Sequence, residues 1–288
     1  MDLFRGTGVA LVTPFKQDGS IDFPGLKSLL DFTAQGVDYY VVMGTTGESA
    51  TISADEKAEI LSFVKANNSK QLPIVYGIGG NNTLEVVKTI EATDLEGVDA
   101  LLSVSPYYNK PSQAGIVAHF EYIADRSPVP LILYNVPGRT MSNMSADTTI
   151  QLSKHNNIIG IKEASADLKQ CKAIINGMDS NFFLTSGEDL MTSDLVKAGG
   201  IGIISVLANG FPKEFSKIAE QALVGNYETS DTITASFKAV NPLMYEESNP
   251  VGVKEVLRLK GVCEGYVRLP LLAATTDLKS RIQSLTGL

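Results

Sequence analysis

Apolar residues gather along the chain in eight short runs set apart by longer stretches of mixed character. The runs are GVALVT (8–13), YYVVMG (39–44), LPIVYG (72–77), DALLSV (99–104), PLILYN (130–135), IIGIKE (158–163), FFLTSG (182–187) and GIGIISV (200–206). They are rich in Val, Ile, Tyr and Phe, close on or near Gly, Ser, Thr or Pro, and do not alternate with polar residues. A strand that is apolar on both faces belongs to a parallel sheet covered by helices.

The intervening stretches carry helical spacing. FPGLKSLLDFTAQG (23–36) ends in Gly, and SADEKAEILSFVKANN (53–68) opens with Ser53 and Glu56 at capping-box spacing. NTLEVVKTIEATDLEG (82–97) ends in Gly, as helices often do. SQAGIVAHFEYIAD (112–125), ADLKQCKAIINGM (166–178) and FPKEFSKIAEQALVGN (211–226) continue the series. Strand and helix in eight units predict a (β/α)8 TIM barrel over residues 1–225, near the ~250 residues usual for that fold. A doubly wound open sheet is the alternative, but units of similar length need no switch point. Residues 226–288, including VGVKEVLRLKG and LPLLAATTDLKSRIQSL, predict a C-terminal helical domain.

Composition narrows the possibilities. The 288 residues carry a net charge of −8 without a Lys/Arg run, which argues against nucleic acid as a partner. No apolar run reaches the ~18 residues of a membrane span, and the opening MDLFRGTGVALVTPF lacks the pattern of a signal peptide, so the expected location is cytoplasmic. Cys171 and Cys263, both in helix-like stretches, make no disulfide framework, and His119 and His155 stand apart from any set with metal-ligand spacing.

In a barrel the C-terminal strand ends carry the site. There stand Thr45 and Thr46 of GTTGES, Tyr107 and Tyr108 of SPYYNKP, Tyr134 and Arg139 of YNVPGRT, Lys162 of IIGIKE, SGED, and ISVLAN. No Ser-His-Asp set or Walker loop is present, and GIGGNN (77–82) lacks dinucleotide-loop spacing. Lys162 is either a solvated strand-end residue or a reactive amine. A neutral lysine attacks a ketone to form a Schiff base, and desolvation among Ile158, Ile159 and Ile161 is expected to lower its pKa. Tyr134 and Thr45 could carry protons and Arg139 could hold a carboxylate. Each also has an ordinary structural explanation: a core aromatic, a helix cap, a surface cation.

GTTGES, SPYYNKPSQAG, YNVPGRT, GIKEAS and SNPVGVK, in this order and spacing, resemble the dihydrodipicolinate (4-hydroxy-tetrahydrodipicolinate) synthase family of the pyruvate-dependent Schiff-base lyases, across nearly the whole chain. Arg139 and the paired threonines resemble the synthases rather than the related N-acetylneuraminate or 2-keto-3-deoxy sugar acid aldolases, which are the alternative. The resemblance implies condensation of pyruvate with L-aspartate 4-semialdehyde in lysine and diaminopimelate biosynthesis. No cofactor is implied beyond the covalent imine on Lys162. It implies Tyr134 as proton shuttle, and Thr45 linking it to Tyr108 of a neighbouring subunit in a homotetramer. Backbone N–H groups of Thr45 and Thr46 would hold the pyruvate carboxylate, Arg139 would hold the second substrate, and Gly187 and Ile204 would line the pocket.

Ser49, Ala50, Asn81, Glu85 and Tyr107 match the site at which many relatives bind inhibitory lysine. Ala54 and Lys57 stand where inhibited bacterial enzymes often carry histidines. A second ammonium beside the ligand's own is unfavourable by on the order of one to a few kcal/mol. Weak or absent lysine inhibition is therefore expected.

Overall fold

The computed structural model describes residues 2–288. Eight strands, β1 (Gly6–Ala10), β2 (Tyr39–Val42), β3 (Ile74–Gly77), β4 (Ala100–Val104), β5 (Leu131–Asn135), β6 (Ile158–Glu163), β7 (Phe183–Ser186) and β8 (Gly202–Ser205), pair in sequence order. All pairings are parallel and β8 closes on β1, so the sheet is a TIM barrel and not an open sheet. Each of the eight apolar runs overlaps one strand.

The helices are α1 (Phe23–Thr33), α2 (Ala54–Asn67), α3 (Thr83–Ala92), α4 (Gln113–Ala124), α5 (Pro137–Thr140), α6 (Ala146–Leu152), α7 (Leu168–Gly177), α8 (Thr192–Lys197) and α9 (Pro212–Leu223). After them come α10 (Tyr227–Ser236), α11 (Val251–Leu259) and α12 (Thr276–Thr286). Side-chain caps start many of them. Asp22, Asn82, Ser112 and Ser145 each accept an N–H of the first turn, and Ser53 and Glu56 form the reciprocal box.

Several boundaries differ from the sequence expectation for physical reasons. β1 begins and ends earlier than 8–13, because Val12 N–H turns to Asn209 Oδ1 (3.1 Å) and Thr13 Oγ1 donates to the Gly47 carbonyl (2.7 Å). The helix expected to reach Gly97 stops at Ala92, and Gly97, at φ +72°, serves a later turn. α5, α6 and α8 have four, seven and six residues, too few for a periodicity to show. Residues 269–275 are not helical; α12 starts only where the Thr275 side chain accepts from Leu278 N–H. Cys171 lies in α7, but Cys263 lies in a bend beyond α11.

The core has two layers. Inside the barrel, Tyr39, Val41, Val75, Leu102, Ile132, Tyr134, Phe183 and Ile204 pack together; the larger layer lies between strands and helices. Phe4, just before β1, packs edge-on against Tyr39 and tilted against Phe183, at ring distances of 5.5 and 5.9 Å, where β2 and β7 begin. These rings seal the N-terminal mouth, which leaves the C-terminal end for chemistry.

A register shift on β6 decides what reaches that end. Leu131 pairs with Ile158, but Ile132 pairs with Gly160, so Ile159 is an extra residue. Counting by twos from the outward Ile158, Lys162 would face the helices. The extra residue reverses the alternation: Ile161 packs in the outer layer and Lys162 turns into the barrel beside Tyr134. Gly160 makes the turn inward possible, since a Cβ there would lie 2.5 Å from the Phe183 ring.

Candidate active site

Lys162 and Tyr134 are register partners on β6 and β5. The Lys162 Nζ stands 4.5 Å from the centre of the Tyr134 ring, and the lysine is 6 % exposed. It makes no ion pair among the described residues. One expectation needs correction here. Ile158 and Ile161 lie in the layer against the helices, on the other face of the sheet from the amine. The dry surroundings of Lys162 are the barrel interior, not those isoleucines.

Gly187, at the end of β7, is shaped around this lysine. A Cβ on it would come within 2.6 Å of Ala164 Cβ and 2.9 Å of Lys162 Cε, while its N–H donates to the Glu163 carbonyl (2.8 Å). Gly187→Ala is expected to push the amine aside and lower kcat on the order of 10²-fold with the fold retained. Steady-state kinetics alongside thermal melting checks this, and an unchanged kcat would contradict it.

The GTTGES loop forms a tight turn at the end of β2. Gly47 N–H bonds the Gly44 carbonyl and Glu48 N–H the Thr45 carbonyl, both at 3.0 Å, so the N–H groups of Thr45 and Thr46 lie outside the turn's own bonds. Thr45 is exposed at the mouth, whereas Thr46 is buried and its Oγ1 accepts from Asn249 Nδ2 (3.0 Å). Glu48, left-handed at φ +54°, turns into the protein. Its carboxylate accepts from Lys254 Nζ (2.6 Å) and from Arg268 N–H (3.0 Å). The C-terminal segment therefore grips this loop at three points. The residue patterns assigned no task to Glu48, Asn249 or Lys254; their only signal was membership of GTTGES and SNPVGVK.

Two acids follow Gly187. Glu188 is half-buried, and burial raises its pKa against the opposing pull of Lys162. Asp189 is buried. Its Oδ2 accepts from Leu207 N–H at 3.0 Å and from the Tyr245 hydroxyl at 3.5 Å, and its Oδ1 has no partner. Burial pushes Asp189 up to about 6, and burial together with Asp189 raises Tyr245 well above the usual tyrosine range. A carboxyl raised in the fold stabilises fully below its unfolded pKa, and that stability is lost as pH rises through about 6. Asp189→Asn is thus expected to gain about 3 kcal/mol relative to the parent between pH 3.5 and pH 7.5. Denaturant titrations at the two pH values measure it; a constant difference would contradict it.

Arg139, in α5, is exposed and unpaired among the described residues, and Ile204 on β8 points inward and is buried. Tyr108 is not brought to the others within one chain: it sits at φ +72° and is 88 % exposed. A cavity of about 580 Å³ starts at Gly44, Thr45 and Tyr134 and runs between α2 and α3 past Ser49, Ala54, Lys57, Asn81 and Glu85. Tyr107 borders this region through its carbonyl, which accepts from Asn81 Nδ2 (3.1 Å); Ala50 is exposed nearby. Lys57 is half-buried without an ion pair among the described residues, and burial lowers its pKa. Among the described residues no group of His, Cys, Asp or Glu is arranged for a metal ion, and no helix is long and apolar enough to cross a membrane.

A buried amine facing a tyrosine ring at the open end of a parallel barrel is an arrangement that can form an imine with a ketone. The comparisons with known proteins are specific. The model of the dihydrodipicolinate synthetase family matches residues 3–286. The 4-hydroxy-tetrahydrodipicolinate synthase of Cytophaga hutchinsonii is 50 % identical over 284 residues, covering 98 % of this chain and 96 % of the relative. That of Flavobacterium psychrophilum is 46 % identical, covering 99 % and 98 %. The dihydrodipicolinate synthase structure from Thermotoga maritima superposes with a TM-score of 0.95 at 34 % identity, covering 99 % of this chain and 98 % of that one. The enzyme of Cyanidioschyzon merolae, solved with lysine bound, gives 0.94 at 36 % identity, covering 99 % and 97 %. The chain belongs to the dihydrodipicolinate synthetase family.

Proposed function

We propose that this chain is a 4-hydroxy-tetrahydrodipicolinate synthase joining pyruvate to L-aspartate 4-semialdehyde through an imine on Lys162. The observation that carries the mechanism is the buried, unpaired Lys162 amine set 4.5 Å over the Tyr134 ring. The amine adds to the pyruvate ketone and water leaves. The imine withdraws electrons from the neighbouring methyl, which loses a proton to give an enamine. The enamine carbon attacks the aldehyde, whose oxygen takes a proton. The amine of the second substrate then attacks the imine carbon, closes the ring and expels Lys162. No cofactor takes part.

Tyr134 exchanges the protons, with Thr45 beside it on the same cavity. The N–H groups of Thr45 and Thr46 hold the pyruvate carboxylate, and the unpaired Arg139 holds that of the semialdehyde. Gly187 and Ile204 bound the pocket. The exposed Tyr108 serves a neighbouring subunit's hydroxyl relay in a homotetramer, although one closely similar structure, at TM-score 0.95, is described as a monomeric dihydrodipicolinate synthase variant. Residues 1–225 form the catalytic unit and 226–288 the helical unit that braces it.

The experiment is product formation from the two substrates. Steady production of the cyclic product supports the synthase. No product, together with cleavage of N-acetylneuraminate or a 2-keto-3-deoxy sugar acid, would overturn it. Lysine inhibition is a separate expectation: Lys57, on the cavity wall with no carboxylate partner, repels a cationic ligand. Sub-millimolar lysine is expected to leave turnover nearly unchanged, and half-inhibition in that range would contradict the role given to Lys57.

A further inference from the structure

The residues one step beyond the site pair also meet, on the opposite face of the sheet. We propose that this second pair, Asn135 and Glu163, is a positioning device that sets the Lys162 amine against the Tyr134 ring. The proposal rests on Lys162 being the reactive amine.

Asn135 and Glu163 are register partners next to Tyr134 and Lys162, and strand alternation sends their side chains to the helix side. Both are buried. Asn135 Nδ2 gives one N–H to Asn143 Oδ1 (2.8 Å) and shares the other between the two Glu163 oxygens, at 3.1 and 2.9 Å. Gln170 Nε2 of α7 donates to Oε2 (3.0 Å), and Ser165 N–H donates to Oε1 (2.8 Å). Asn135 is itself fixed, because its Oδ1 accepts from Met144 N–H (3.0 Å). No cation pairs with this carboxylate among the described residues, so neutral donors satisfy it.

A buried carboxylate costs more than a neutral residue here, and the barrel could close without it. What it adds is register. β6 carries its extra residue at Ile159, three residues before Lys162, and pairing without that extra residue would shift the strand by one position and turn the amine to the wrong face. A clamp just past the amine removes that freedom.

Glu163→Gln tests this, since one amide oxygen cannot serve three donors. The measured quantity is the rate at which borohydride traps pyruvate on the protein, with kcat, KM and melting temperature alongside. Loss of one or two bonds to a charged acceptor is expected to slow trapping and kcat about 10- to 100-fold. The melting temperature and the KM for the semialdehyde should change little. The double variant Glu163→Gln/Gln170→Glu returns a carboxylate and an amide with their places exchanged, and it is expected to recover most of the rate. Wild-type trapping in a folded Glu163→Gln, or no recovery in a folded double variant, would overturn the clamp. Should Glu163→Gln not fold, Gln170→Ala at its half-buried position decides: trapping slowed about threefold supports the clamp, and an unchanged rate overturns it. Absence of trapping in the wild-type protein would instead remove Lys162 as the amine.

Discussion

Lys162→Ala is expected to abolish turnover, by about 10⁴-fold or more, while leaving the protein as stable as before or more so. The two halves of this expectation come from different physics. An amine that forms the covalent intermediate has no substitute among its neighbours, so its removal eliminates the step. The fold itself makes little use of this side chain, which has no ion pair among the described residues, so truncating it leaves stability unchanged or improved. Lys162→Arg sharpens the test. It supplies a guanidinium that stays protonated and does not form the imine. Both variants are therefore expected to be inactive, and only Ala to melt at or above the parent temperature. Melting curves and initial rates on the same preparations suffice. Residual turnover within about tenfold of the parent in either variant would exclude Lys162 as the nucleophile.

Lys254→Met is expected to destabilise the protein by about 3–5 kcal/mol and to raise the KM for pyruvate. Lys254 and Glu48 are buried together, at 0 and 3 % side-chain exposure, with Nζ and Oε1 2.6 Å apart. Burial lowers the lysine pKa and the Glu48 charge opposes that shift, so each charge is tolerated mainly because of the other. Nζ also donates to the Tyr266 carbonyl (2.7 Å) and lies 4.3 Å from the Phe15 ring centre. Methionine fills the space and leaves the Glu48 carboxylate with the Arg268 N–H as its remaining donor. A fall in melting temperature on the order of 10 °C follows from that loss. The effect reaches pyruvate because Glu48 is the last residue of the turn presenting Thr45 and Thr46. Glu48→Gln combined with Lys254→Met removes both charges and should recover much of the stability. A Lys254→Met protein with parent stability and parent KM would show that the pair is dispensable.

The barrel was legible in the sequence because eight strands buried on both faces leave eight unmistakable apolar runs. Short helices such as α5 and α8 were not, since four to six residues carry no period. The site was legible in its inner parts. Lys162, Tyr134 and the GTTGES loop all stand at strand ends, where the fold places its chemistry. What stayed hidden was long-range. The orientation of Lys162 depends on the extra residue at Ile159, which appears only when β6 is laid against β5. IIGIKE invites the conclusion that its isoleucines surround the amine, yet Ile158 and Ile161 face the helices. The hold of Asn249 and Lys254 on the β2 loop spans about 200 residues of chain, and no local pattern encodes it.

The central claim is that pyruvate becomes covalently attached to Lys162. It is tested most directly by treating the native protein with pyruvate and borohydride and locating the added mass by peptide mapping. One reduced pyruvate per chain, confined to the peptide carrying Lys162 and absent from Lys162→Ala, is the expected result. No added mass, or modification at another lysine with Lys162 untouched, would contradict it.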